Sequence, residues 1–377
     1  MNKILEKQLL EKCLALNSTK RTTLGANEAV ISTARYLSQQ RHRQEIDEIF
    51  KRCPSPILHS SELPERNSAK PVDTALGSLI VSRDSAGTLH VHHNMCRHRG
   101  TQLIQKKVCA KRLLCPYHAW SYGLDGKLKS IPNQETCFPS LKNDENALFP
   151  IPAVEMYGFL WICPATDNAA LQLKQHLDKM SQDLSWLQAE DLTVFKRSTQ
   201  TRHGNWKLFA EGGLETYHFS YAHRHSIAPH FFNNLAVINA LGLHFRVVMP
   251  LKSLLKAKND GADFSLRAHA HTLLYLLPSS ALLIQKEHVE WIQFRPHSVN
   301  QTEISVTTLV PTSDDRTDHW EKNHTITNQT LNEDWALGES IQRSIESGAL
   351  SHLQYGRNEW ALAAFHQRIE QLLSSKS

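Results

Sequence analysis

Along MNKILEKQLLEKCLALNSTK, apolar side chains at Ile4, Leu5, Leu9, Cys13 and Leu16 are separated by lysines and glutamates. That recurrence predicts an amphipathic helix, and the charges within it do not match the unbroken apolar run of a signal peptide. NEAVISTARYLSQQRHRQEIDEIF continues the helical pattern, so residues 1–45 read as an N-terminal helical segment. From Pro54 the pattern changes to short β-prone runs, SPILHSSELP and then GSLIVSRDSAGTLHVHHNMC, the latter turning at SAGT. RLLCPYHAWSYGLDGKLKSIP carries Asp125-Gly126, a hairpin signal, and VEMYGFLWICPA reads as the last strand of a β domain over residues 46–165.

Beyond Ala165, NAALQLKQHLDKMSQDLSWL is helical. HTLLYLLP, HVEWIQFRPHS and EISVTTLVP have strand character, and TLNEDWALGESIQRSIESG and NEWALAAFHQRIEQLL have helix character. The expected class is α+β: an all-β N-terminal domain followed by a mixed domain over residues 166–377. A length of 377 residues also favours two domains over one core. The longest apolar stretch, Thr272 to Ile284, contains Pro278 and two serines and is too short to cross a bilayer, so a cytoplasmic protein is expected.

The net charge of +5 is spread along the chain, which leaves no electrostatic footprint for nucleic acid. Seven cysteines without a signal peptide point to reduced thiols. Four metal-binding side chains stand in two short motifs: Cys96 and His98 in CRHRG, then Cys115 and His118 in CPYHAWSY. A structural zinc ion also takes two cysteines and two histidines, but the common finger supplies the cysteines first and the histidines second. One of each from each loop suits a two-iron cluster in which one iron takes both thiolates and the other both imidazoles. Cys13, Cys53, Cys109, Cys137 and Cys163 read as buried thiols.

These two motifs resemble the cluster-binding loops of Rieske oxygenases. The second half carries NWK at residues 205–207, then Glu215, His218 and His223 spaced E-x-x-H-x-x-x-x-H, and later an EDW helix with Gln342-Arg343. On a regular helix the two histidines would lie about 140° apart, so sharing an ion requires a break or a π-bulge between them. Two histidines and a carboxylate leave open positions on Fe(II). Asp334 offers the carboxylate: at 100° per residue it falls in line with Leu337, Ile341 and Ile345, and an acid on an apolar face is costly unless bound. The competing reading of Asp334 is a helix-start carboxylate favoured by the dipole. Glu333 reads as a solvated first-turn acid, and His225 rivals His223.

From about Tyr36 to the C-terminal helix the chain resembles the α subunit of Rieske non-haem iron ring-hydroxylating oxygenases. The resemblance implies a Rieske domain followed by a helix-grip (Bet v 1-like) catalytic domain. It implies a 2Fe-2S cluster on Cys96, His98, Cys115 and His118, and a mononuclear Fe(II) on His218, His223 and Asp334. It further implies a homotrimer in which Glu215 bonds His218 in its own chain and His118 across the interface. Electrons would come from an NAD(P)H-dependent reductase, with or without a ferredoxin, since no dinucleotide-binding glycine fingerprint occurs here. Two features depart from the ring hydroxylases. The bridging acid is Glu, as in members acting on carnitine and betaine, and Gly212-Gly213 stand where an Asn is common.

The expected function is O2-dependent hydroxylation of a small organic substrate, by ring hydroxylation or by oxidative N- or O-dealkylation. Trp206, Tyr217, Phe219, Phe231, Phe232, Phe245, Tyr275, Trp291 and Phe294 are candidates for a pocket able to hold an aromatic ring or a quaternary ammonium. The competing possibilities are a betaine- or carnitine-type monooxygenase, a non-catalytic Rieske electron carrier, and a zinc-stapled ligand-binding protein.

Overall fold

A computed structural model describes residues 1–19, 22–260 and 264–374. The chain divides into two compact units, Phe50–His176 and the combination of Met1–Ile49 with Leu177–Ser377.

The first unit is built from three small antiparallel sheets. One joins Ala153–Met156, Phe159–Ile162 and Ser55–His59, and a second joins Leu89–His93, Gly77–Arg83, Ser68–Thr74 and Val108–Cys109. The third joins Arg112–Leu114, Ser121–Gly123 and Leu128–Ser130. The turn at Asp125-Gly126 closes with Gly126 at φ 78°, a left-handed conformation that glycine adopts without penalty. VEMYGFLWICPA is a hairpin and not the single strand expected. Tyr157 and Gly158 both have positive φ, as a tight two-residue turn requires, and Met156 pairs with Phe159. Leu103, Ile104, Leu113, Trp120, Tyr122 and Leu128 form an apolar cluster that also encloses Cys96 and Cys115.

The second unit is organised by a seven-stranded antiparallel sheet. Its order is Leu192–His203, Gln301–Pro311, Val289–Ser298, Ser280–Ile284, Ala270–Leu276, His244–Pro250, Val237–Leu241. The apolar stretch from Thr272 to Ile284 is two of these strands, and among the described residues no helix is long and apolar enough to cross a membrane. A 30-residue helix, Thr317–Glu346, packs on the Leu192–His203 and Gln301–Pro311 strands. It begins well before the EDW motif. Its early buried positions are Trp320, His324 and Thr327, mostly polar residue types that hide the helical period from a hydrophobicity count. His324 holds it to the sheet, with ring nitrogens 2.6 Å from Ser198 Oγ and 2.6 Å from Thr308 Oγ1.

Residues 1–45 are not a separate helical segment but part of this second unit. Helices Lys3–Ser18 and Gln39–Glu45 form as expected, whereas Ala29–Ser32 is a strand paired antiparallel with His352–Tyr355. Val30 and Ile31 are β-branched, and their partner lies more than 300 residues away, out of reach of any local pattern.

The segment anchors the helix Trp206–Glu211 at both ends. The Glu45 carboxylate accepts from Lys207 Nζ (2.7 and 2.8 Å), Trp206 Nε1 (2.9 Å) and Arg41 Nε (3.0 Å), and the side chains of Glu45 and Lys207 are fully buried. Asn205 caps the helix through its side chain and donates to the carbonyls of Tyr36 (3.1 Å) and Val299 (2.8 Å). At the other end, Glu211 accepts from the hydroxyls of Tyr36 (2.8 Å) and Tyr355 (2.9 Å), with His366 Nε2 at 2.9 Å.

Removing one member of a buried ion pair strands its partner, at a typical cost of about 3–5 kcal/mol. Lys207→Met should therefore lower the guanidinium midpoint of the tryptophan-fluorescence transition sharply. Lys207→Met combined with Glu45→Gln should recover part of the loss.

Candidate metal centres

In the first unit, two tight loops each present a cysteine at the base and a histidine near the tip. Cys96 N–H donates to Thr101 O (2.8 Å) and Gly100 N–H to Cys96 O (2.9 Å), with Gly100 at φ 78°. Cys115 N–H donates to Trp120 O (2.8 Å) and Ala119 N–H to Cys115 O (3.1 Å), with Ala119 at φ 56°. Both thiols are buried, His98 is half-buried and His118 is exposed. Burial raises the Cys96 thiol above its ordinary value and the adjacent Cys115 adds to this. The Tyr122 hydroxyl at 3.4 Å and the His98 N–H at 3.2 Å act in the opposite sense. The two imidazoles meet with Nδ1 atoms 3.3 Å apart, and His98 stacks on Trp120.

Thiol thus faces thiol and imidazole faces imidazole. A single zinc ion would need all four donors at one point. Among the described residues one group of three or more donors has its ligand atoms all within 4.8 Å, and it is a different one. Paired donors without a common centre fit two irons bridged by sulfide, one held by each pair.

That converging group is His218, His223 and Asp334, in the second unit. After the anchored helix the chain turns through Gly212–Leu214 and becomes extended at Glu215. The Glu215 carboxylate accepts the backbone N–H groups of Tyr217 and His218 and bonds His218 Nδ1, which points the ring's Nε2 the other way. His218 and His223 flank a one-turn helix, Phe219–Ala222, instead of lying within a longer one. His223, at φ −102° and ψ 20°, has already left helical geometry, which supplies the break that the spacing demands. Asp334 Oδ1 lies 2.9 Å from His223 Nε2 and 3.4 Å from His218 Nε2. The buried His218 Nε2 has no hydrogen bond. Burial disfavours charge on both histidines, yet Glu215 and Asp334 beside His218, and Asp334 and Glu333 beside His223, outweigh it and raise both above the ordinary value. Positive charge is stabilised at the point where the three side chains meet, and an orphaned imidazole nitrogen on His218 beside the carboxylate that His223 also meets suits a divalent metal.

The long helix places Asp334 in its middle, so a helix-start role does not apply. The apolar-face argument also fails in detail: Leu337 and Ile341 are 48% and 41% exposed, and only Ile345 of that row is buried. The buried face runs through Trp335, Gly338, Gln342 and Ile345. Glu333 is not merely a solvated acid. Its Oε2 lies 2.6 Å from His223 Nδ1 and accepts from Ser226 Oγ at 2.6 Å, fixing the ring that Asp334 meets from the other side. The available signal was its position next to Asp334, one carboxylate per ring face. His225 is exposed and outside the group. Cys109 and Cys137 are exposed, contrary to expectation, because each lies in a short surface element; Cys13, Cys53 and Cys163 are buried, and burial pushes each up to about 12.

A cavity of about 100 Å³ opens beside His223 and Asp334. Phe219, Phe231, Tyr275 and Phe294 of the expected aromatics line it, while Trp206, Phe245 and Trp291 are core and Tyr217 is exposed. Gly213 also lines it, and a Cβ there would come within 2.8 Å of Leu273 Cδ2.

The sequence matches the family models "Rieske [2Fe-2S] domain" over residues 53–150 and "Ring hydroxylating alpha subunit (catalytic domain)" over residues 189–375. It is 30% identical over 192 residues to the glycine betaine monooxygenase oxygenase subunit of Chromohalobacter salexigens, covering 51% of this chain and 41% of that one. It is 31% identical over 206 residues to the anthranilate 1,2-dioxygenase large subunit of Acinetobacter baylyi, covering 52% and 43%. The chain spans less than half the length of these curated relatives. Its fold is that of a solved quaternary ammonium Rieske monooxygenase, described with respect to carnitine oxidation by gut microbiota and inter-subunit electron transfer. The TM-score is 0.80 at 19% identity, over 98% of both chains.

Asp334→Ala should remove one metal ion per chain by elemental analysis while leaving the visible absorbance of the paired-loop site unchanged. Glu333→Ala should retain that metal but weaken it by about 10–100-fold in chelator competition, the usual effect of losing a carboxylate behind a ligating histidine.

Proposed function

The chain belongs to the Rieske non-haem iron oxygenases, as an α subunit of the ring-hydroxylating type, and from that premise we propose that it is a terminal oxygenase hydroxylating a small organic substrate. The observation that carries this is the convergence of His218, His223 and Asp334 at the edge of an apolar cavity, in a chain that also holds the paired thiols and paired imidazoles. A non-catalytic electron carrier would have no use for that second donor set.

In the proposed assignment Cys96, His98, Cys115 and His118 hold the 2Fe-2S cluster, and His218, His223 and Asp334 hold Fe(II). When bound, these centres supply electron storage and oxygen activation. O2, two electrons and two protons convert one C–H bond to C–OH with release of water, or place both oxygen atoms on the substrate. The electrons come from NAD(P)H through a separate reductase, with or without a ferredoxin.

The protein's own part is positional. Glu215 and Glu333 each engage the Nδ1 of one histidine, fixing both rings with Nε2 toward Asp334. The apolar lining keeps water from the reacting face. We assign Glu215 a second role as the link from His218 to His118 of the partner subunit in a homotrimer. Support comes from its contact with His218 and from the exposure of His118 at its loop tip. The inter-subunit electron transfer described for the solved relative is consistent with it. The proposed location is the cytoplasm, where seven cysteines stay reduced.

The test is anaerobic purification with iron and sulfide analysis, followed by substrate-triggered O2 uptake with a surrogate reductase. About three irons and two sulfides per chain are expected for one Rieske cluster and one mononuclear site, and a colourless zinc protein overturns the reading. Glu215→Ala should leave the cluster reducible yet abolish most turnover; turnover near the wild-type rate would remove Glu215 from the electron path.

A further inference from the structure

The net charge of +5 reads as spread along the sequence, yet one unit carries all of it. Phe50–His176 holds 15 lysines and arginines against 10 aspartates and glutamates, and the remainder of the chain holds 27 of each. Within that unit residues 85–124 include all four cluster-binding side chains and six cations, Arg97, Arg99, Lys106, Lys107, Lys111 and Arg112, with no acid among them. The excess is built around the redox centre.

The bonding of these cations separates those used by the fold from those left free. Arg97 donates to Ala147 O (2.7 Å) and lies over the Phe149 ring, Arg99 donates to the Tyr117 hydroxyl (2.8 Å), and Lys107 pairs with Glu65 (2.8 Å). Lys106, Lys111 and Arg112 are exposed, and among the described residues no hydrogen bond or ion pair engages their side chains. Lys111 and the exposed Lys129 line one groove with Gly123, the residue opposite Arg112 in the strand register. Two acids share that groove and both are engaged: Asp84 by His90 and the N–H groups of Ala86 and Thr88, Asp125 by Lys127 and Lys129. Arg112 opens the strand Arg112–Leu114, at the edge of its three-stranded sheet. Side chains 112 and 114 alternate onto the same outer face, where Leu114 is 60% exposed. Cys115 follows at once, so this face begins at the base of a cluster loop whose tip carries His118.

Unpaired cations beside an exposed leucine contribute nothing to the fold. An apolar centre with a charged rim is how protein interfaces are built, and electron-transfer encounters use small ones. A phosphate backbone is met by cations alone and has no use for Leu114. Attraction between opposite charges raises encounter rates by about 10–10³-fold at low salt, which suits a donor that must arrive and leave repeatedly.

Resting on the assignment of the 2Fe-2S cluster to these loops, we propose that Lys111, Arg112, Lys129 and Leu114 form the docking surface for the electron-donor protein, whose matching face is acidic with an apolar centre. Each encounter passes one electron from the reduced donor to the oxidised cluster, with no bond made or broken. Entry is at the base of the Cys115 loop, roughly 10 Å from Arg112 to Cys115 at three residues of strand rise. The His118 tip stays free for the electron's exit.

The test mixes the oxidised, cluster-loaded protein with a reduced plant-type ferredoxin of net negative charge, whose potential lies below the Rieske range, and follows the cluster's absorbance by stopped flow. The second-order rate constant should fall at least about tenfold as salt rises from about 20 to about 200 mM. Lys111→Glu with Arg112→Glu should lower the low-salt rate at least about tenfold and remove most of its salt dependence. Lys111→Gln with Arg112→Gln should give a smaller loss of the same kind. The same reversal on a helix of the other unit, Lys256→Glu with Lys258→Glu, should stay within about twofold, and reduced methyl viologen, a small cation, should reduce all variants at least as fast as wild type. Calorimetry with both proteins oxidised reads docking without electron transfer, and the Lys111→Glu, Arg112→Glu variant should bind ferredoxin at least about tenfold more weakly. The proposal is overturned by an unchanged ferredoxin rate in that variant, by an equal loss in the Lys256, Lys258 control, or by a viologen rate that falls in step. Binding of wild type to duplex DNA or phosphatidylserine vesicles in preference to ferredoxin also overturns it. Iron and sulfide analysis of the same sample keeps the two readings apart: a missing cluster sinks the Rieske assignment, whereas a full cluster with unchanged kinetics sinks only the docking surface.

Discussion

The buried carboxylate of Glu45 is the constraint on which the catalytic unit depends. Three donors, Lys207, Trp206 and Arg41, converge on it from both sides of a contact that water does not reach. A charge so placed is tolerable only while every partner stays in position, so the start of the helix Trp206–Glu211 is fixed in place. Glu211 repeats the device at the helix's other end with two tyrosines and a histidine. Those anchors hold the two ends of a six-residue helix, and the next turn delivers Glu215 and His218.

The second half of the site arrives from a different direction and is held differently. Asp334 and Glu333 ride on a helix of 30 residues, stiff enough to carry two carboxylates to a defined place without local help. Gln342, two turns further along the same helix, accepts the N–H of Asn205 at 3.0 Å, so the cap of one element is tied to the body of the other. Asn205 of the NWK motif and Gln342 are therefore the two ends of a single mechanical link, while the neighbouring Arg343 is exposed. That link acts together with the direct contacts of Glu333 and Asp334 to His223 and of Glu333 to Ser226, which join the histidine segment to the same helix.

The sequence made the cluster loops legible because all four donors lie within 23 residues and each loop closes on itself by local hydrogen bonds. The histidine pair was legible as well, since a five-residue spacing excludes a regular helix and the fold indeed breaks there. The apolar-face argument for Asp334 does not hold, because Leu337 and Ile341 are exposed and the helix starts 17 residues earlier at Thr317. Polar residues at the buried positions of that helix hide its period. Glu333 was missed because the partner that gives it a role, His223, is 110 residues away. The strand Ala29–Ser32 escaped for the same reason, and no periodicity count can supply a partner from the opposite end of the chain.

The near-collision between Gly213 and Leu273 has a meaning for how this pocket can diverge. Position 212 has room for a methyl group, 3.9 Å from the nearest atom, but at position 213 a methyl group fits only if Leu273 swings aside or shrinks. Residues 213 and 273 therefore form a coupled pair, one on the turn leading into the metal site and one between His271 and Tyr275. A lineage that enlarges one must displace or trim the other, and reciprocal exchange of bulk between turn and strand would move the available space within the cavity while leaving its volume almost unchanged.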